Sequence, residues 1–99
     1  EDRYKLIRAR VCMLNGKKFL HLVYENDGGR EASLFVGRDK EDIVGDRTVV
    51  LEGKNIQMAH VSDLNVVSTQ AGNNLVIVAA QEEKIANTLL LGAVSRLSA

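Results

Sequence analysis

A chain of 99 residues has the length of one domain, and its composition, 45% hydrophobic and 26% charged, excludes a disordered polypeptide. The formal net charge is zero, with only two Phe and two Tyr; this argues against a nucleic-acid binder, which combines excess positive charge with aromatic stacking groups. One cysteine excludes an intrachain disulfide and a Cys-based zinc cluster, and no apolar run reaches the roughly 18–20 residues of a membrane span.

Tyr4 to Leu14 alternates, with Ile7, Ala9, Val11 and Met13 on one face and Arg8, Arg10 and Cys12 on the other. Asn15-Gly16 follows, and supplies the positive φ that both centres of a type I′ hairpin turn require. A two-residue loop there pairs Met13 with Lys18, Val11 with Leu20, Ala9 with Leu22 and Ile7 with Tyr24, so the apolar face continues across the turn. A second hairpin turns at Asn26-Asp27-Gly28-Gly29 into Arg30–Val36. A three-residue loop ending in Gly sets Tyr24 opposite Ala32, Leu22 opposite Leu34 and Leu20 opposite Val36. A two-residue loop moves Leu34 to the other face, so the first register is expected. Phe19, His21, Val23 and Phe35 then share the opposite face, which is too apolar to be wholly bare.

Gly37 to Asn55 shows no clear helical stripe, and Thr48–Leu51 is its one short candidate strand. Three β-prone runs come next: Ile56–Val61, Asn65–Thr69 and Leu75–Ala79, the last two joined by a turn in Gln70–Asn74. From Glu82 onward, Ile85, Ala86, Leu89, Leu90, Ala93, Val94 and Leu97 recur at the spacing of an amphipathic helix. Glu82 and Glu83 suit the positive end of its dipole and Arg96 the negative end. Gly92 costs about 1 kcal/mol against Ala in mid-helix and is expected to permit close packing on the sheet. The expected fold is therefore α+β, one domain over residues 1–99. It consists of an antiparallel β-meander of about five or six strands with the C-terminal helix on one face.

The candidate metal ligands are Cys12, Met13, His21, Met58 and His60. His21 falls opposite Arg10, a cation that disfavours metal capture; Cys12 shares its face, and Met13 points to the other. None of these pairs has the close spacing of a zinc motif. They read as sheet residues, with the Cys12/His21 face kept as an alternative site for a metal or small ligand. The acidic run Asp39–Asp46 fails as an EF-hand loop, because Val44 stands where a glycine is needed. His60-Val61-Ser62-Asp63 places His60 and Ser62 on one strand face but offers no nucleophile elbow or oxyanion donors. Gly28-Gly29 joins two strands instead of opening a helix, so it is no phosphate loop. Neither enzymatic activity nor a cofactor is expected.

What remains is uneven charge. Residues 1–24 hold six basic and two acidic residues, which leaves +4 there and −4 in the remainder. Arg8 and Arg10 share a sheet face and Lys17 and Lys18 flank the turn, a surface suited to an acidic partner or anionic lipid. Together with Phe19, Val23 and Phe35 they form the candidate interaction surface. If those three apolar residues lie on a face that the helix does not cover, a homodimer is expected.

The order of segments resembles a family. Arg8 to Val36, and within it Leu22-Val23-Tyr24, Gly28-Gly29 and Ser33-Leu34-Phe35-Val36, is similar to the extracytoplasmic C-terminal domain of bacterial transmembrane anti-sigma factors of the zinc-finger type. Asn65-Val66-Val67-Ser68, Leu75-Val76-Ile77-Val78 and the helix from Glu82 resemble that family's later strand pair and short apolar helix. The family often has Trp and a Gly-Gly turn in that pair; here stand Ser68-Thr69-Gln70 and Gly72-Asn73-Asn74. Its sigma-binding region, His and Cys zinc ligands and membrane helix have no counterpart in this chain, so no functional residue carries over. The resemblance implies an outward-facing sensory domain on the periplasmic side of the bacterial inner membrane. Such a domain binds a signal or protein partner and alters release of a sigma factor inside. With Glu1 in place of Met, the chain then reads as a piece of a longer protein anchored by an upstream helix.

Overall fold

A computed structural model describes residues 3–38 and 45–97. Among these residues seven strands precede one helix: Lys5–Leu14 (β1), Lys17–Glu25 (β2), Glu31–Gly37 (β3), Arg47–Leu51 (β4), Lys54–Val61 (β5), Leu64–Ala71 (β6), Asn74–Ala80 (β7) and Glu83–Leu97 (α1). They form one antiparallel sheet in the order β1-β2-β3-β7-β6-β5-β4. Two meanders thus meet where β3 pairs with β7. The α+β class and the helix-backed meander are as the sequence predicts. The strand count is slightly higher, because Arg47–Leu51 pairs along its whole length with β5.

Turn chemistry sets the registers. Asn15 and Gly16, at φ 50° and 76°, make the type I′ turn, and Met13, Val11 and Ala9 face Lys18, Leu20 and Leu22 as expected. Ile7 does not reach Tyr24. A bulge between Leu6 and Arg8 places Leu6 opposite Tyr24 and makes Ile7 the extra residue. Leu6 and Ile7 are both apolar, so the slip costs the pattern nothing. In the second hairpin the Asn26 N–H donates to Arg30 O, and Asn26 Oδ1 accepts from the N–H groups of Gly28 and Arg30 at 3.0 and 2.8 Å. Gly29, at φ 83°, completes the three-residue loop, and Tyr24 faces Ala32 as expected.

One face of the sheet packs against α1. Ala86, Leu90 and Val94 form the helix stripe, set over Leu34, Ile56, Val67, Val76 and Val78. Ile56, Val76, Val78 and Leu90 are 0% exposed; each such burial is worth about 1.5–3 kcal/mol relative to exposure. On the other face Phe19, Leu75 and Ile77 cluster with Cys12, Leu14, Phe35 and Val66. The Phe19 ring lies over Gly37, where an added Cβ would sit 2.6 Å from it. Gly92 has a different character from the one expected: it is exposed, and an added Cβ would meet nothing within 4 Å. It does not serve helix–sheet packing.

The helix is pinned at its start. Ala86 N–H donates to Glu82 O, Arg30 from the β2–β3 loop reaches Glu82 at 2.8 Å, and Arg47 of β4 pairs with Glu83. No helix among the described residues is long and apolar enough to cross a membrane.

Candidate functional site: a basic sheet edge beside an open groove

Among the described residues β1 pairs on one side only, with β2, and so presents a ten-residue edge. The β1–β2 segment from Lys5 to Tyr24 carries Lys5, Arg8, Arg10, Lys17 and Lys18 and no carboxylate. Arg8 faces Val23 and Arg10 faces His21, so both project from the face away from α1. Glu31 approaches Arg8 at 4.0 Å with both side chains about half exposed, a contact worth no more than about 1 kcal/mol. Lys17 and Lys18 are exposed beside the turn.

The other face of the same hairpin exposes apolar residues beside Lys18 at its turn end. Val11 is 62% exposed, Met13 59% and Leu20 44%. Simple dimensions account for this. A helix about 10 Å across covers about two strands spaced near 4.8 Å, and α1 lies over β7 and β6 with only slight contact to β3. Between the helix and the uncovered strands runs a groove of about 460 Å³, lined by Leu20, Leu22 and Val36 from the sheet and Leu89, Ala93 and Arg96 from the helix.

Of the expected surface, Arg8, Arg10, Lys17 and Lys18 are exposed on this flank. Phe19 and Val23 are not: they are 4% and 3% exposed, and Phe35 is half-buried. The face away from the helix is therefore largely closed at these residues, which expose little apolar surface to a partner. Val11, Met13 and Leu20 take their place, residues that alternation alone assigns to the helix-covered side. The signal that finds them is the width of one helix against the number of strands.

His21 is buried, stacked on Phe35 at 4.3 Å and 13°, with Nε2 3.0 Å from Ser33 Oγ. Burial, then the charges of Arg10 and Arg8, lower its pKa from 6.5, so the imidazole is neutral at pH 7. Cys12 stands opposite Phe19, two positions along β1 from the residue facing His21. No group of three or more His, Cys, Asp or Glu able to hold a metal occurs among the described residues. Met58 is buried in the main core, Met13 is exposed, and the exposed His60 donates its backbone N–H to Asp46 Oδ2, 3.4 Å away. Ser62 is not on a strand with His60. It occupies the β5–β6 turn at φ 59°. Most of the acidic run, residues 39–44, lies outside the described residues.

Comparison with known proteins adds no relative. No family model matches the chain, and neither a curated protein nor a solved structure does. The site must be read from its own geometry.

Proposed function

We propose that this chain is a non-enzymatic interaction domain, the outward-facing sensory part of a membrane-anchored anti-sigma factor that regulates transcription. The interaction role is carried by one observation: the β1–β2 flank combines the cations Lys5, Arg8, Arg10, Lys17 and Lys18 with the exposed apolar surface of Val11, Met13 and Leu20. Large exposed apolar surface rimmed by charge marks a binding site more often than idle surface. The assignment to a membrane-anchored regulator is supported by the order of segments. A three-strand meander through Tyr24 and Ser33–Val36, a strand pair β6–β7 and a short helix follow one another as in the family that the sequence resembles. On this reading the span lies upstream, and β1, the first strand, is the element nearest to it. A partner that grips β1 acts where movement passes most directly to the membrane segment.

The coding sequence ahead of Glu1 tests the assignment. A membrane-spanning helix preceded by a His- and Cys-containing segment is the expected result. A start codon placed immediately before Glu1 contradicts it. Deleting this domain from such a protein is expected to change transcription from the promoters of its sigma factor, measured with a reporter; an unchanged reporter argues against a sensory role.

A further inference from the structure

We propose that β1 is a receiving edge for an extended acidic segment of a partner protein, one in which carboxylates alternate with aliphatic residues. The inference deepens the interaction-domain reading above and rests on it. An open strand edge recruits a further strand through its backbone, and side-chain pattern then selects the partner. The sheet has two edges. β4, at five residues, is short and its Arg47 is tied to Glu83, whereas β1 is twice as long. The bulge at Ile7 interrupts pairing near the start of β1, which leaves Arg8–Leu14 as the regular stretch.

The two faces of that stretch specify opposite chemistry. Arg8 and Arg10 lie on one side, and Val11 and Met13, continuous with Leu20, lie on the other. An added strand places alternate residues beside each set. Carboxylates on the arginine side and aliphatic side chains on the other satisfy both. A second copy of this chain does not, because β1 carries Lys5, Arg8 and Arg10 and no acidic residue, so pairing β1 with β1 brings like charges together. Edge cations are a common guard against self-pairing. Here the same cations admit an acidic strand, and the charge of the flank attracts it over distance.

The probe is an acetylated peptide alternating glutamate and valine, as long as Arg8–Leu14, titrated into the 99-residue chain and followed by amide NMR. Binding is expected to protect β1 amides from exchange, to shift Val11, Met13 and Leu20, and to weaken as salt rises. The lysine–valine peptide and an N-methylated glutamate–valine peptide are expected not to bind. The double variant Arg8→Ser/Arg10→Ser, with its melting temperature checked, is expected to lose affinity at least about tenfold. Equal binding of the lysine peptide, no change in β1 protection, a dimer by sedimentation, or preference for phosphatidylglycerol vesicles over the acidic peptide each overturns the proposal. Those results leave the interaction-domain reading to be judged by the upstream sequence and the reporter, which this titration does not touch.

Discussion

β6–β7 and β1–β2 are hairpins of one sheet, both rich in apolar residues, yet they differ in what lies over them. In β7, Leu75 to Val78 are all buried because α1 covers one face and the Phe19–Ile77 cluster closes the other. In β1 every residue from Lys5 to Val11 is exposed. Alternation makes a strand; the cover decides which of its faces contributes to stability. A single helix cannot cover seven strands, so this sheet has a stabilising centre and a flank left over for contact.

The contrast can be broken most sharply with paired truncations. Leu90→Ala, at the middle of the helix stripe, is expected to cost about 3 kcal/mol in urea unfolding, within the usual range for a buried Leu. Val11→Ser on the flank is expected to stay within about 0.5 kcal/mol. Equal losses would erase the distinction between centre and flank.

The centre can also be sharpened. Asn87 Oδ1 is buried without a hydrogen-bond partner among the described residues, which leaves a desolvated acceptor on the helix. Asn87→Leu is expected to raise stability by about 1 kcal/mol, read from the shift in denaturation midpoint. A loss would show that the oxygen is satisfied in solution. A smaller gain, about 0.5 kcal/mol, is expected for Ser62→Gly, because Ser62 sits at φ 59° in its turn, where glycine is freer.

The smallest effect concerns pH and the flank's inner face. His21 has a lowered pKa in the folded chain, so the native state binds fewer protons than the unfolded state below pH 6.5. Its contribution is present above that value and is lost as pH falls through the lowered folded pKa. Melting temperature is therefore expected to fall as pH drops below about 6.5, and His21→Gln is expected to flatten that part of the curve. An unchanged slope in the variant would place the pH dependence elsewhere.

Much of the fold was legible in local chemistry. Asn15-Gly16, the Asn26–Gly29 loop and the Ile85–Leu97 stripe each specify one geometry, and the registers follow from them. The turns at Glu52-Gly53 and Ser62-Asp63 were not legible, since Glu52 and Ser62 take the positive φ that Asn15 takes in the first turn, and neither residue type favours it as Asn does. The bulge at Ile7 hid because its neighbour Leu6 is equally apolar. For the site, Arg8, Arg10, Lys17 and Lys18 stood out as charge. Val11, Met13 and Leu20 did not, since periodicity names a face without saying how far the helix reaches across it.

Native-state amide hydrogen exchange measures that reach residue by residue. The amides of β6, β7 and α1 are expected to exchange only through global unfolding, with those of β1 exchanging far faster and at lower free energy. Protection in β1 equal to that in β7 would contradict the division of this sheet into a covered centre and an open flank.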